Sequence, residues 1–470
     1  MTKDERQEIA REKWRNAKGK GAFIHPTGFG KTYETCVLIN KVLSKTNGIG
    51  KVLILVPYVN LIKQWQETIN KLVVNKDNIE IMTVQLYVMN NYYESPLLLV
   101  LDELDEFYGE ERIKIVKGVT CAYKFVVGLT ATPHDKTGRH LIAFQYIPIV
   151  DEITEQEALD NKWISEYKQY NLKIRLTENE RKEYDILTEI IGNCLGKFHS
   201  FEHGMSVLTG NKETGESGYD IAIKHAMFNG WKKNMDLSII ANQEINNVWN
   251  PNKIIGYAKS FNEAVRLRNT LLDLSQEKFN TTLKLVEKFL NVKTIIFSNS
   301  IAFANKIHLL INQKHQIKDN LFDNNYPYCV LYHSDMEAQY VFVPEKNKKV
   351  KYGVKRLKEY YLNLVKLGFS KAIASAKALD KGLDIKDIRL AIVAGGNSTT
   401  NRQKQREGRA KRLEDLPYDK PVIIVNLYYE DTKEERDLKD RQKRSLKSRI
   451  WDISDIDDIN LESEEQEITI

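Results

Sequence analysis

The sequence predicts an α/β protein built from two doubly wound parallel-sheet domains and a mainly helical insertion. Short apolar runs recur in two parts of the chain, at residues 52–57, 97–101, 125–129, 294–297, 372–375, 390–393 and 422–427. Buried parallel strands have this continuous apolar character, and their alternation with helical stretches is typical of a doubly wound sheet. The two groups of runs therefore predict two α/β blocks.

The length of 470 residues also favours more than one domain, because a single hydrophobic core rarely grows so large. We expect the first domain at residues 1–165 and the second at residues 282–450. Residues 178–281 are polar and mostly helical in period, with a Gly-rich loop at 210–218. We interpret them as a helical insertion at the start of the second domain. Residues 452–470 are expected to form an acidic C-terminal tail.

Charge is unevenly distributed along the chain. The expected tail holds eight acidic and no basic side chains, whereas the whole chain carries a formal net charge of +6. The part before the tail therefore carries +14, which suits a polyanionic partner. Many ordinary cytosolic proteins carry a similar charge, so both interpretations stay open on this observation alone.

Cysteine usage and hydropathy restrict the class of protein further. The four cysteines lie far apart and form no CxxC pair, at Cys36, Cys121, Cys194 and Cys329. This argues against a zinc site, an iron–sulfur cluster or a disulfide framework and fits a reducing cytosol. No apolar run of about 18 residues exists, and the N-terminus is charged rather than signal-like. We expect a soluble cytoplasmic protein, in a cell or in a virus-infected host, without a membrane partner.

The strongest local pattern is HPTGFGKT at residues 25–32, which follows an apolar run and opens a helical stretch. Its glycines let backbone N–H groups approach phosphate oxygens, and the helix behind them directs its positive end at the same place. Lys31 would supply a cation to the terminal phosphates, and the Thr32 hydroxyl would reach Mg²⁺. His25 stands where the general pattern GxxxxGK[ST] has glycine. A chance Gly-rich turn is the alternative interpretation.

A second pattern, which is acidic, predicts a metal ligand. The apolar run at 97–101 leads directly into Asp102, Glu103 and, two residues later, Asp105. A carboxylate at the carboxyl end of a buried strand is well placed to coordinate Mg²⁺, and the next Glu can polarise an attacking water. Acidic residues after a strand are common, but after a phosphate loop they are a much stronger indication.

Seven ordered patterns resemble the motifs of superfamily 2 helicases of the DExD/H type. In the order of motifs I, Ia, II, III, IV, V and VI they are HPTGFGKT (25–32), VLILVPYVNLIKQW (52–65), DELD (102–105), GLTATP (128–133), KTIIFSNS (293–300), SAKALDKGLDIKD (375–387) and QREGRAKR (405–412). The resemblance implies two tandem RecA-like domains with ATP and Mg²⁺ as cofactors, and hydrolysis in the cleft between them. Coincidence does not produce so many motifs in order.

The resemblance assigns roles to individual residues. The residues expected to bind the nucleotide are Gln7, Pro26, Thr27, Gly28, Phe29, Gly30, Lys31, Thr32, Gly382 and Asp384, and Asp384 would approach the ribose. Mg²⁺ would be held by Thr32 and Asp102. The residues expected to take part in catalysis are Lys31, Asp102, Glu103, Gln405, Arg409 and Arg412. The two arginines would reach across the cleft as arginine fingers, and Thr130 and Thr132 would link the phosphate state to domain contact. A helix-capping turn is the alternative role of these threonines.

A finer resemblance points to DNA translocases, a group that includes phage branch-migrating helicases, XPB-like repair motors and restriction-enzyme motor subunits. It is carried by QEIAREKW (7–14), EALDNKWISEY (157–167) and DTKEERDLKDRQ (431–442). DNA is therefore favoured over RNA, and replication, recombination or repair proteins are possible partners of a protein that we expect to be monomeric. Since the motor motifs begin near residue 1, we expect no substrate-specifying domain before them.

Two departures from the family pattern affect expected contacts. Ala376 stands where motif V usually has a Thr that contacts a backbone phosphate. Ser375 and Lys377 are the two candidates to make that contact instead. Arg6 precedes Gln7 where relatives usually have an aromatic residue against adenine, which puts that contact in doubt.

The nucleic acid strand is expected to run across both domains, held mainly by its phosphates. The candidate contacts are Pro57, Tyr58, Thr83, Gln85, Ser298, Asn299, Ser375 and Lys377. Residues 346–358 add seven basic side chains around Tyr352 and could track a strand, although a solvated basic loop is equally compatible.

The insertion carries its own pair of hypotheses. Its aromatic and basic side chains could contact a strand junction, or the two tryptophans could fill a small helical core. The residues in question are His199, His203, His225, Trp231, Lys232, Lys233 and Trp249. For the whole chain, the alternatives to a DNA helicase or translocase are an ATP-dependent duplex-binding clamp or regulatory motor subunit, an RNA helicase and a catalytically dead scaffold.

Overall fold

The computed structural model describes most of the chain. The described residues are 1–89, 96–135, 138–211, 214–232, 248–319, 324–343, 348–376, 385, 388–395, 421–443 and 446–460. Within them the chain forms two compact units, Met1–Lys173 together with Thr281–Ile470, and Ile174–Asn280.

The strands and helices alternate over most of the chain. The strands are β1 (Lys20–Ile24), β2 (Val52–Val56), β3 (Ile79–Thr83), β4 (Leu98–Asp102), β5 (Phe125–Thr130), β6 (Ile149–Glu152), β7 (Tyr167–Ile174), β8 (Lys293–Ser298), β9 (Gln316–Asp319), β10 (Asn324–Pro327), β11 (Cys329–Tyr332), β12 (Gln339–Val343), β13 (Lys348–Tyr352), β14 (Ala372–Ala376), β15 (Ile388–Val393), β16 (Val422–Tyr429) and β17 (Ile450–Ile453). The described α-helices are α1 (Lys3–Asn16), α2 (Lys31–Lys45), α3 (Val59–Leu72), α4 (Val84–Met89), α5 (Glu110–Ala122), α6 (Arg139–Tyr146), α7 (Glu155–Asp160), α8 (Glu178–Leu195), α9 (Phe201–Thr209), α10 (Gly218–Phe228), α11 (Pro251–Leu274), α12 (Gln276–Lys288), α13 (Ile301–Lys314), α14 (Val354–Leu367) and α15 (Lys433–Gln442).

The first sheet has the strand order β3-β2-β4-β5-β1-β6, and its strands run parallel. Both faces are covered. Leu53 and Leu55 point into one buried cluster with Phe107, whereas Ile54 and Val56 point into another. Because alternate residues of a strand face opposite sides, burial of both sets produces the continuous apolar run seen in the sequence.

The second sheet has the order β11-β14-β8-β15-β16-β7-β17, and β8 pairs in parallel with both β14 and β15. Two short antiparallel hairpins, β9–β10 and β12–β13, are separate from it. The predicted α/β class with two parallel sheets is confirmed. These two sheets are consistent with tandem RecA-like domains.

β7 refines the expected position of the insertion. This strand precedes the helical segment in the chain but lies in the second sheet, between β16 and β17. In chain order, the insertion thus comes after the first strand of the second sheet and before the remaining strands of that sheet. At the other end, β17 pairs in parallel with β7, so the first residues of the expected acidic tail belong to this sheet. Residues 461–470 lie outside the described part.

The unit Ile174–Asn280 is mainly helical over its described residues and carries clear helix-start signals. Thr177 forms a capping box with Glu180 at the start of α8, and Ser217 does the same with Asp220 at the start of α10. Trp231 is buried beside Phe198 and Ile254, among others, and Trp249 packs partly buried against the same cluster. The small-core interpretation of the two tryptophans is therefore confirmed, while Lys232 is exposed and Lys233 lies outside the described residues.

The basic segment at 346–358 is ordered where it is described, from residue 348 onward. It forms β13 and the first turn of α14. Tyr352 is buried, and the Arg356 guanidinium lies 4.1 Å from the centre of its ring. Lys348, Lys349 and Lys351 are exposed. Among the described helices of the whole chain, none has the length and apolar character that a membrane crossing requires.

Candidate functional site

Three strand ends of the first sheet meet at one edge. β5 lies between β4 and β1, with Thr130 in register with Ile24 and Leu129 in register with Asp102. Since parallel strands end on the same side, the phosphate loop after β1, the acidic motif after β4 and the threonines after β5 all follow carboxyl ends of adjacent strands. Ligands bind at this edge in doubly wound sheets.

The phosphate loop has the backbone that its glycines predict. Gly28 and Gly30 have φ angles of 91° and 92°, a region that favours glycine. Gly30 is the N-cap of α2, and no side chain caps the first N–H groups of that helix. The Lys31 ammonium donates to the His25 carbonyl at 3.1 Å. A helix N-terminus without a side-chain cap, next to a cation, fits a bound phosphate group.

Helix α1 is fastened to this loop. The Gln7 amide donates to the Phe29 carbonyl at 3.0 Å, and the Lys3 ammonium donates to the Gly28 carbonyl at 3.1 Å. Gln7 is buried, and its Oε1 has no hydrogen-bond partner among the described residues. A buried acceptor beside a phosphate loop fits the predicted contact with the nucleotide, because a base amino group could donate to it.

His25, which departs from the general loop pattern, is the centre of a buried charge network. Its Nδ1 lies 3.1 Å from Glu34 Oε2 and its Nε2 lies 2.8 Å from Asp151 Oδ2. Asp151 also accepts two hydrogen bonds from Arg6, at 2.8 and 3.1 Å, and one from Lys13 at 2.7 Å. Arg6 is therefore a structural partner of β6.

The network shifts the pKa values of its members in opposite directions. Burial alone would lower the pKa of His25, but the hydrogen bonds and charges of Asp151 and Glu34 outweigh it and raise that pKa. Burial would raise the pKa of Asp151, but hydrogen bonds from His25, Arg6 and Lys13 hold it at about 2. The two acidic neighbours of His25 therefore favour protonation of its ring.

We expect His25→Gly, which restores the general GxxxxGK[ST] pattern, to destabilise the protein by about 3 kcal/mol, because it removes the hydrogen-bond partner of the buried Glu34 and one of the partners of Asp151. The raised His25 pKa makes this contribution complete below the ordinary value of 6.5 and smaller as pH rises through the raised value. The loss measured by chemical unfolding should thus be greater at about pH 6 than at about pH 9. Equal stability of variant and parent at both pH values would contradict the network's role.

Asp102 accepts a hydrogen bond from Trp65, a residue for which the sequence predicted no role beside the metal ligand. The Trp65 indole Nε1 donates to Asp102 Oδ2 at 2.7 Å. Burial and the neighbouring Glu103 raise the pKa of Asp102 to about 6, while Trp65 and the Lys31 charge oppose the shift. The phosphate loop and the acidic motif come after strands that end at the same edge of the sheet, and the Lys31 charge favours ionised Asp102. A divalent cation would offset the same burial cost.

Trp65→Phe keeps a ring in place but removes this donor. We expect the Mg²⁺ concentration that half-saturates ATP turnover to rise by about tenfold or more, as for other residues that orient a metal ligand. The measurement is ATPase rate against Mg²⁺ concentration. Trp14→Phe is the matched control, because its indole donates to the Val126 carbonyl instead. An unchanged Mg²⁺ dependence in Trp65→Phe would remove Trp65 from the site.

The motif III threonines lie against the acidic motif. Thr130 Oγ1 donates to Asp105 Oδ1 and Thr132 Oγ1 donates to Asp105 Oδ2, both at 2.8 Å. Burial, together with the Glu103 charge, raises the pKa of Asp105 to about 7, and the two hydrogen bonds oppose this. Thr130 also accepts from the Thr132 N–H at 3.0 Å. The threonines thus tie the ends of β4 and β5 together.

Phe29 connects the loop with the segment that leads to the second sheet. Its ring is fully buried and meets the Trp163 ring edge-to-face, with centroids 5.7 Å apart, and the His25 ring at 5.0 Å. Both aromatic residues belong to the same buried cluster as Ile295 and Ile373 of the second sheet. Trp163 lies in the stretch EALDNKWISEY, and its contact with the loop is a feature that the sequence did not predict.

The described candidate nucleic-acid contacts lie at or just after the carboxyl ends of strands in both sheets. Gln85 is exposed, and Thr83 caps α4 by accepting from the Leu86 N–H at 3.2 Å. Asn299 and Tyr58 are partly exposed. Burial raises the pKa of Tyr58, and Glu106 adds to the effect through a hydrogen bond.

The remaining described candidates are buried. Pro57 is buried after β2, and Ser298 accepts from the Ser300 N–H at 3.0 Å. Ser375 is only 2% exposed inside β14, and its Oγ has no partner among the described residues. The roles of all eight candidates stay predictions.

Several predicted site residues lie outside the described part of the chain. They are Lys377, Gly382, Asp384, Gln405, Arg409 and Arg412.

Comparisons with known proteins agree with this picture. The profile of the family described as "Type III restriction enzyme, res subunit" matches residues 2–94. DNA 3'-5' translocase XPB2 of Sulfurisphaera tokodaii is 24% identical over an alignment of 438 residues, which covers 89% of this chain and 79% of that protein. The crystal structure of the Pyrococcus furiosus Hef helicase domain is similar in fold, with a TM-score of 0.50, 16% identity, and coverage of 92% of this chain and 96% of that one. Together with the phosphate loop, the acidic motif and the two parallel sheets, these findings show that the chain is similar to XPB-like helicase proteins of the superfamily 2 DExD/H type over most of its length.

Proposed function

We propose that this protein is an ATP-dependent DNA helicase or translocase. The observation that carries the proposal is the edge of the first sheet, where Lys31 of the phosphate loop acts on Asp102 at the end of β4 and Glu103 follows directly. A phosphate-binding loop and a metal-binding carboxylate at the same edge of one sheet are what nucleoside triphosphate hydrolysis requires. DNA as the track is supported by the similarity to XPB2, a DNA translocase.

Different residues of the described part of the chain would bind the nucleotide, hold the metal and activate the water. Backbone N–H groups of the loop and the Lys31 ammonium would bind the phosphates, and Gln7 would accept from the base. Thr32 and Asp102 would hold Mg²⁺, which neutralises charge on the phosphate oxygens when bound. Glu103 would orient the attacking water and accept its proton.

The second domain would complete the site. Arg409 and Arg412 would stabilise charge that develops on the transferred phosphoryl group, Gln405 would sense the γ-phosphate, and Asp384 would approach the ribose. Supplying these groups from the other domain makes hydrolysis depend on closure of the cleft. Alternate closure and opening would then move the protein along the strand.

The strand itself would lie over the carboxyl ends of both sheets. Contacts to the phosphate backbone carry no sequence information, so they suit a motor that moves over any sequence. Exposed Gln85 is the described side chain best placed for such a contact, while buried Ser298 and Ser375 would position the backbone of their loops.

The test is the ATPase rate of the purified chain with no nucleic acid, single-stranded DNA, duplex DNA, forked DNA and RNA in turn. We expect stimulation by one or more DNA substrates and less by RNA. Stimulation by RNA alone would replace the DNA assignment with an RNA helicase. A rate that no nucleic acid changes would contradict the motor function.

A further inference from the structure

Three histidines meet within the helical unit Ile174–Asn280. His199 lies just before α9, His203 lies in the first turn of α9, and His225 lies in the last turn of α10. The His199 and His203 rings stack with centroids 5.0 Å apart. The His225 ring lies 5.1 Å from the first and 4.7 Å from the second, nearly perpendicular to both. None of the roles assigned to the ATP site accounts for this cluster.

The ring nitrogens are close enough for one ion. One nitrogen from each histidine lies within 4.8 Å of the other two. A tetrahedral ion with metal–nitrogen distances of about 2.0–2.1 Å would need them about 3.4 Å apart. Rotations about the side-chain bonds that move each nitrogen by about 1 Å would close this difference, and His199 is exposed enough to move freely.

His225 provides an independent observation that points to a ligand. It is 5% exposed, and its Nε2 lies 2.7 Å from the Lys197 carbonyl. Because the Lys197 carbonyl can only accept, this short contact assigns the proton to Nε2. The Asn229 amide, which would instead donate to Nε2, is farther away at 3.5 Å. The buried Nδ1 then carries a lone pair and has no hydrogen-bond partner among the described residues. A histidine that donates from one nitrogen to a carbonyl and leaves the other unpartnered is prepared for a metal.

A purely aromatic cluster is the simpler alternative. Phe198 and Trp249 also contact the His225 ring, with centroids 5.9 and 5.7 Å away. Packing explains the stacking of the rings but leaves a buried nitrogen unsatisfied, which costs about 1–3 kcal/mol. Metal coordination accounts for both observations.

We propose that His199, His203 and His225 bind one Zn²⁺ ion that fastens α9 to α10. Imidazole nitrogen suits zinc, whereas the oxygen ligands at the phosphate loop suit Mg²⁺, so the two sites select different metals. The three protein ligands leave a fourth position for water on the exposed side of His199. The cysteine spacing, which argues against a zinc site, does not bear on a site made of histidines alone.

The test uses the full chain after chelator treatment and dialysis, in buffer with excess Mg²⁺. Zinc binding is measured by equilibrium dialysis with elemental analysis, and Co²⁺ binding by its visible absorption. We expect one Zn²⁺ per chain, an increase of several degrees in the unfolding temperature when zinc is restored, and the intense absorption of four-coordinate Co²⁺.

Variants locate the ion. His199→Ala removes an exposed ligand without opening the core and should weaken zinc binding at least tenfold. His225→Gln should do the same, and if it fails to fold, His199→Ala decides. His315→Ala, a histidine outside the unit, is the matched control and should bind zinc like the parent. Absence of zinc binding by the parent, unchanged binding by His199→Ala, or an equal loss in His315→Ala would each overturn the proposal.

Discussion

Glu103→Gln should keep ATP bound and lose hydrolysis by about 10²–10⁴-fold, the usual contribution of a positioned general base. Glu103 follows Asp102 at the end of β4 and has a φ of 50°, which is rare for a residue other than glycine. Strained backbone of this kind is retained where a side chain must point in one direction. Glutamine preserves the size and one oxygen of the side chain but cannot accept the proton of the attacking water.

The measurement pairs single-turnover hydrolysis with equilibrium binding of a fluorescent ATP analogue. Lys31→Ala should show the reverse pattern and lose nucleotide affinity, because the phosphates lose their cation. Glu106→Gln is the matched control: it makes the same chemical change three residues along the chain, in a side chain directed at Tyr58 and Arg112. Hydrolysis by Glu103→Gln at the parent rate would remove Glu103 from the mechanism.

Arg409→Ala and Arg412→Ala should each lower the rate of ATP turnover by about 10³-fold with little change in nucleotide affinity. The guanidinium groups would act on charge that appears only as the phosphoryl group is transferred. Their removal should therefore slow turnover without weakening nucleotide binding. Arg409→Lys should recover only part of the activity, because an ammonium lacks the planar pair of donors.

Arg406→Ala is the matched control for the two arginines, since it removes the same charge from the same motif at a position outside the QxxGRxxR pattern. Turnover should stay near the parent rate in this variant. If Arg409→Ala and Arg412→Ala both hydrolyse ATP as fast as the parent, the site is complete in the first domain and the two-domain account is wrong.

The sequence predicted the strands that are buried on both faces. The run at 52–57 matches β2, Val52–Val56, and the run at 372–375 matches β14, Ala372–Ala376. Continuous apolar character is a local property of such strands, so no knowledge of their partners is needed to find them.

β7 was missed for a physical reason. Its sequence, YKQYNLKI, places polar side chains inside the protein, and Asn171 is satisfied only by distant partners. It donates to Gln442 at 3.0 Å and to Asp452 at 2.8 Å, and it accepts from Asn426 at 3.2 Å. These partners lie more than two hundred residues away in the chain, and no local pattern reveals them.

The residues of the candidate site also divide into those that a local sequence pattern reveals and those whose partners lie far away in the chain. The loop glycines, Lys31 and the acidic motif were readable because backbone geometry and phosphate chemistry impose a fixed spacing. The partner of His25, Asp151, is 126 residues away, so the sequence showed only a departure from a pattern. His199 and His203 carry a local signal, two histidines four residues apart, but their meeting with His225 depends on how α9 and α10 pack.

Displacement of a third strand from a DNA triplex tests the central claim most directly, because a motor that moves along the intact duplex must strip that strand without separating the other two. With ATP and Mg²⁺, the parent protein should displace the third strand, and neither Glu103→Gln nor the parent with a non-hydrolysable ATP analogue should do so. Displacement that proceeds equally without hydrolysis, or ATP turnover with no displacement of the triplex strand and no unwinding of a fork, would contradict an ATP-driven DNA motor.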